Sequence, residues 1–374
     1  MNFGNTGTFL KSHCNASLVF KLGNIARTSR ATNLTTQLQV TMARESSSKL
    51  VRKDDVHVRS LSSADFNDDY PLLAYEMLQG PLVKWSRPGV GVTPPTAVFV
   101  HGILGSRKNM QSFARKLLEG FPSWQVLLLD LRCHGESVGL PSIAMQPHTV
   151  HTAASDIIAL LRSLKIFPHA LVGHSFGGKV VMGMVQQFAN TLPRPLQVWV
   201  LDSLPGDVRA AGMDSSSDPE KLISLLRNIP LPIKSRTQLI DHLLESGFSK
   251  AIAQWVAINL RPAYSSPGVS SSALTWSFDL DGIRDLYRSY EATNLYPLLE
   301  SPPLGLRLDF VKAEHSSFRW SGGDEEKIMQ YGHRVHLLPG AGHWVHTDNP
   351  TQLYNILAPS FGGVDMQQRK AGYY

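Results

Sequence analysis

The sequence predicts an α/β architecture: a mostly parallel central sheet with helices on both faces and a helical cap inserted before the last two strands. Two observations predict it. First, short apolar runs at residues 97–100, 125–130, 170–173 and 198–202 are separated by stretches of helical periodicity. Strands buried on both faces read as continuous apolar runs, and helices supply the crossovers that parallel pairing needs. Second, this rhythm breaks after Pro205, turns helical and irregular to about residue 299, and resumes at 307–311 and 333–338. An insertion between late strands covers the strand ends, where open α/β sheets bind ligands.

Taken in order, residues 50–60 and 72–78 read as edge strands ahead of the core. Helices are expected near 109–118, 150–164 and 177–188, each following one apolar run. Within the insertion, Leu222, Leu225 and Leu226 share one helical face, as do Ile252, Trp255 and Val256. Between those helices and the next strand lies a Ser-, Pro- and Gly-rich run at 262–272, which reads as flexible. A closing helix is expected at about 350–357. The implied organisation is a head at 1–48, core at 49–205, cap at 206–299, core again at 300–362, and a tail at 363–374.

Charge separates the head from the rest. The formal net charge is +6, yet residues 1–44 hold five basic residues (Lys11, Lys21, Arg27, Arg30, Arg44) and no acid. The remainder carries only +1, so its charge points to no nucleic-acid partner. The head is rich in Ser, Thr, Asn and Arg, the composition of an organelle transit peptide, or otherwise of a disordered head. Its abundant Thr and Ser favour the chloroplast over the mitochondrion. No apolar stretch is long enough for a transmembrane helix. Cys14 and Cys133 are the only cysteines, too few for a disulfide framework.

The chemistry centres on Gly173-His174-Ser175-Phe176-Gly177-Gly178, which follows an apolar run and opens a helix. A nucleophilic serine needs its oxygen held clear of the sheet on a sharp turn, with no side chain two residues to either side. A second motif, His101-Gly102-Ile103-Leu104-Gly105, ends an earlier strand. Acyl transfer develops an oxyanion that must meet pre-aimed amides, here expected from Ile103 and Phe176. His101 itself reads as a structural turn residue. The third motif, Gly340-Ala341-Gly342-His343-Trp344, follows the last apolar run. It offers His343 as general base, with His346 as a local rival. The chain order Ser then His is that of the α/β-hydrolase fold.

A carboxylate must hold the imidazole in the right tautomer. Asp202, ending the run after the elbow, is the first candidate. Asp281, read as a helix cap beneath the lid, and Glu314, in the turn after the penultimate strand, are the alternatives. The segment from Asp130 to Ser137 reads as a brace for the loops, since the adjacent Cys133 and His134 point apart. No Cys/His cluster has metal-ligand spacing, and neither a P-loop nor a dinucleotide fingerprint is present, so no cofactor is implied.

These residues together resemble a known family. His101-Gly102 with Gly105-Ser106, Asp130-Leu131-Arg132 with His134-Gly135 and Ser137, the elbow through Lys179, and the Gly-His-Trp-Val-His ending at 342–346 are similar to one esterase group. That group contains alpha/beta-hydrolase domain-containing protein eleven and its bacterial esterase relatives. The resemblance spans about residues 72–361 and implies hydrolysis of small-molecule acyl esters, with thioesters as a second class. It also supports Asp202 as the acid while retaining a match to Asp281. The cap at 262–272 and the loop at 318–323 depart from the family. A hydrolase-fold receptor with slow turnover and an acyltransferase are the competing functions.

Overall fold

The computed structural model describes residues 58–59, 73–83, 93–141, 145–193, 196–208, 218–263, 273–316, 320 and 322–370. The basic head, most of the 262–272 run and part of the 318–323 loop lie outside them. Within the described chain, strands β1 (Val58–Arg59), β2 (Tyr75–Gln79), β3 (Thr96–Val100), β4 (Gln125–Leu129), β5 (Ala170–His174) and β6 (Gln197–Leu201) precede the cap. Strands β7 (Leu260–Pro262) and β8 (Leu274–Trp276) belong to the cap itself, and after it come β9 (Leu308–Ala313) and β10 (Arg334–Leu338). The eight core strands form one sheet in the order β1-β2-β4-β3-β5-β6-β9-β10. At one edge β1 pairs with β2 and β2 with β4 in antiparallel fashion, and the pairings from β4 through β10 are parallel.

The strands expected between residues 97 and 338 are present within a residue or two, the edge strand expected at 72–78 is β2, and all but 58–59 of the one expected at 50–60 lies outside the described residues. Strands β3, β4 and β5 are buried at every position, as continuous apolar runs require. Helices α1 (Gln111–Gly120), α2 (Val150–Ser163) and α3 (Phe176–Phe188) follow β3, β4 and β5 as the crossovers. Two apolar cores lie on the two faces of the sheet. One joins α2, α3 and the cap; the other joins α1 to the C-terminal helix through Trp124, Phe121 and Phe361.

The cap enters after β6. It contains α4 (Pro219–Arg227), α5 (Arg236–Glu245), α6 (Lys250–Ala257), α7 (Leu280–Ala292) and α8 (Tyr296–Glu300). Polar side chains cap α4, α5, α6 and α7, from Asp218, Ser235, Ser249 and Asp279. Two features of this half differ from the sequence reading. A small antiparallel pair, β7 (Leu260–Pro262) and β8 (Leu274–Trp276), flanks the Ser/Pro/Gly run. Strands of three residues are too short to display a period. The last helix, after α9 (Gly322–Gln330) and α10 (Val345–Asp348), is α11 (Pro350–Lys370). It continues through Pro359, where a helix end was expected.

One buried side chain binds the cap to the core. Lys179, on the elbow helix α3, donates from Nζ to the carbonyls of Gly206 at 2.6 Å, Tyr290 at 2.6 Å and Thr293 at 2.8 Å. These acceptors lie where the cap leaves the sheet and where it returns. Its ammonium also stands 4.5 Å from the centre of the Tyr290 ring.

Candidate active site

Ser175 sits between β5 and α3 with φ 53° and ψ −117°, a backbone conformation that side-chain-bearing residues rarely adopt. The elbow is tight enough to explain its two glycines. A Cβ on Gly173 would lie 2.1 Å from the Gly177 carbonyl oxygen, and one on Gly177 would lie 2.3 Å from that of Val100. Helix α3 then begins at Phe176, whose amide is in the first turn and has no partner within the helix.

Asp202 lies one residue beyond β6 in a left-handed conformation, with φ 45°. Its carboxylate is wholly buried yet fully engaged. Oδ2 accepts from His343 Nδ1 at 2.8 Å and from Ser316 Oγ at 2.7 Å. Oδ1 accepts from the Ala313 amide at 3.2 Å and Trp320 Nε1 at 3.3 Å. Four donors around one buried carboxylate offset the cost of removing it from water.

The other two candidate acids lie elsewhere. Asp281 projects from the first turn of α7 with its side chain 70% exposed, and it pairs with Arg227 and Arg284. The cap of that helix is Asp279, which accepts from the Gly282 amide; two residues on, the helical turn carries Asp281 out to solvent. Glu314 accepts from the Gly340 amide at 2.7 Å, tying down the loop that carries His343 instead of reaching the imidazole.

Four further histidines stand at or beside the site, and burial lowers the pKa of each. His174 Nε2 donates to the His343 carbonyl at 2.7 Å, and its ring also packs on His343 and His346. Burial holds His174 well below its ordinary value, helped by His343 and His346. His346 is lowered by burial to about 4 and has its ring edge-on to His174.

His101 and His134 exchange support across the two loops. His101 Nδ1 donates to the Gly102 carbonyl, and its Nε2 accepts the Leu131 amide at 3.0 Å. His134 Nδ1 donates to the Arg132 carbonyl, and its Nε2 accepts the Leu104 amide at 3.1 Å. Both rings must be neutral to accept, which agrees with burial lowering them to about 4 and about 3. The 130–137 segment is therefore a brace for the Ile103 loop. Asp130 adds to it by accepting from the Arg107 and Glu136 amides and pairing with the Arg107 guanidinium. Burial and then Asp279 push the Cys133 thiol up to about 12, so in the absence of a bound cation it stays protonated.

Ser175, His343, Ile103 and Phe176 all line one cavity of about 630 Å³. Its floor is the sheet and elbow. Its roof is the cap, through Leu222, Ile252, Trp255, Tyr287 and Tyr290. Trp255 of the cap meets Trp344 of the His343 loop with ring centres 5.6 Å apart. Its wall is mainly apolar with a few convergent polar groups, the usual composition of a small-molecule site.

Residues 97–356 match the model of the alpha/beta hydrolase family. The chain belongs to that family. Among its hydrolase relatives is mouse sn-1-specific diacylglycerol lipase ABHD11, 27% identical over 305 residues, which cover 80% of this chain and 88% of the relative. Esterase YbfF of Escherichia coli strain K12 is 21% identical, over 70% of this chain and 90% of its own. Among solved structures, a marine microorganism esterase aligns with a TM-score of 0.59 at 19% identity, covering 77% of this hydrolase and 98% of the esterase. The resemblance to esterases of this family read from the motifs is thus matched by sequence similarity over 70–80% of the chain.

Proposed function

We propose that this hydrolase cleaves carboxylic acyl esters through a Ser175–His343–Asp202 triad and an acyl-enzyme intermediate. The observation that carries the reading is the 2.8 Å contact between Asp202 Oδ2 and His343 Nδ1, beside a cavity that also takes in the strained Ser175. Asp202 fixes the tautomer in which His343 Nδ1 bears the proton and Nε2 is free to take one. His343 then removes the Ser175 proton as the serine oxygen attacks the ester carbonyl. The developing oxyanion meets the amides of Ile103 and Phe176. The carbon–oxygen bond breaks, and His343 returns the proton to the leaving alcohol. Water repeats the sequence and frees the acid.

The apolar cap residues over the serine favour an aliphatic acyl group, and the relatives named as esterase and lipase support the same reading. Labelling with a fluorophosphonate probe tests it. The wild-type chain is expected to label, while Ser175→Ala and His343→Ala do not. A folded wild type that fails to label would overturn the mechanism and leave a slow-turnover binding protein as the better account. Product analysis with competing alcohols or thiols separates hydrolysis from acyl transfer.

A further inference from the structure

Away from the serine, the joint between core and cap gathers three side chains of metal-ligating type. Cys133 Sγ, a His148 ring nitrogen and an Asp279 carboxylate oxygen all lie within 4.8 Å of one another. Cys133 Sγ and His148 Nδ1 are 3.4 Å apart. Ligands around a tetrahedral zinc ion, with bonds of about 2.0–2.3 Å, stand about 3.3–3.6 Å from each other. The Cys–His pair is already at that separation, and a shift of roughly an ångström brings in the carboxylate.

The three ligands come from different parts of the fold, and each is held. Cys133 has a left-handed backbone, with φ 65°, and its carbonyl accepts the Asp279 amide at 3.0 Å. His148 precedes the capping box that starts α2. The residue before it is fastened by the buried Arg132, which donates to the Pro147 carbonyl at 3.0 Å and forks onto Asp156 at 2.7 and 2.8 Å. Asp279 spends Oδ1 on the Gly282 amide at 3.1 Å as the cap of α7. Gly282 makes the room: a Cβ there would lie 2.4 Å from Cys133 Sγ and 2.7 Å from Asp279 Oδ2. Position 282 therefore tolerates no side chain without displacing both ligand atoms.

We propose that Cys133, His148 and Asp279 form a zinc-binding site that clips the cap to the core. A thiolate, an imidazole nitrogen and a carboxylate oxygen suit Zn²⁺, a borderline-soft ion, better than Mg²⁺ or Ca²⁺, which take oxygen sets. On binding, the S–H bond breaks and its proton leaves to solvent. The thiolate and carboxylate then balance the two positive charges, and water completes the tetrahedron. Two ligands belong to the core and one is the N-cap of α7 in the cap, so occupancy cross-links cap to core. Sequence spacing hides this set, because Asp279 is distant from the other two and no local cysteine–histidine pattern exists.

The test uses the full chain, stripped with a chelator and dialysed. Titration with Zn²⁺ against a chromophoric indicator is expected to show one equivalent bound at micromolar affinity or tighter, with thermal unfolding raised by several degrees. Co²⁺ in its place is expected to give a thiolate-to-metal charge-transfer band in the near ultraviolet. Cys133→Ser should abolish that band, and Asp279→Asn, which keeps a helix cap, should weaken binding at least tenfold. Cys14→Ser should change neither. An absent thiolate band in the wild type, or zinc uptake by Cys133→Ser and Asp279→Asn equal to that of the wild type, overturns the site. Circular dichroism of the metal-free variants separates lost ligation from lost folding.

Discussion

His174 Nε2 donates to the backbone carbonyl of His343 across 2.7 Å, so the residue preceding the serine holds the loop that carries the proposed base. The bond joins the end of β5 to the segment after β10, with two strands, β6 and β9, between them in the sheet. Replacing His174 by leucine removes the donor and keeps most of the volume. We expect kcat to fall about tenfold to a hundredfold, since an imidazole displaced by an ångström loses its attack geometry. Steady-state kinetics on a soluble ester checks this; an unchanged kcat would show that the loop needs no such tether.

Asp202 touches the His343 ring nitrogen at 2.8 Å, and the acid variants should divide accordingly. Asp202→Asn is expected to lower kcat about 10³–10⁴-fold, as the amide stabilises the wrong tautomer. Asp281→Asn and Glu314→Gln should each stay within about threefold of wild type, because neither touches the imidazole. A large loss in Asp281→Asn with Asp202→Asn near wild type would reverse the assignment.

Stability should fall with acid through the buried histidine pair. His101 and His134 are lowered to about 4 and about 3, against 6.5 for each when exposed. Below pH 6.5 the unfolded chain binds protons that the folded chain refuses, so unfolding is favoured as pH drops. Each histidine contributes a slope of about 1.4 kcal/mol per pH unit, ending near its folded value. Above pH 6.5 both states are neutral at these rings and the effect vanishes. Urea unfolding between pH 7 and 5 should give a shallower slope for His134→Gln, by about one proton; parallel slopes would contradict the neutral-ring network.

The cap roof should set acyl length. Leu222→Trp fills cavity volume above the serine without touching Ser175, His343 or Asp202. We expect kcat/KM for octanoyl esters to fall at least tenfold while acetyl esters change little, since each excluded methylene forfeits about 0.8 kcal/mol. Equal losses on both chain lengths would place the long acyl group elsewhere.

Much of this was legible in the residues because it is local. Buried parallel strands announce themselves as apolar runs, and the elbow needs glycine two places either side of Ser175 for reasons of space alone. The order of Ser175 and His343 follows from the same strands. What stayed hidden depends on contacts between distant segments. Asp202 and His343 are 141 residues apart in sequence. Asp281 and Asp279 are equally good capping residues on paper, and only the start of α7 decides between them. The pairing of β7 with β8 spans a composition that reads as loop, and α11 passes a proline that ordinarily ends a helix. The crossed bonds of His101 and His134 leave no periodicity at all; the recurrence of a histidine beside a glycine after two neighbouring strands was the one signal available.

The position of Lys179 bears on how this enzyme's cap could be exchanged. Gly206 lies at the outgoing junction of the insertion, and Tyr290 and Thr293 lie at the returning one, and a single core side chain grips all three through main-chain oxygens. Backbone carbonyls are offered by any sequence. A foreign cap spliced between these junctions would therefore find its mooring already present in the host, independent of its own side chains. Transplanting substrate preference then becomes a matter of matching two splice points to one lysine, with the chemistry below left in place.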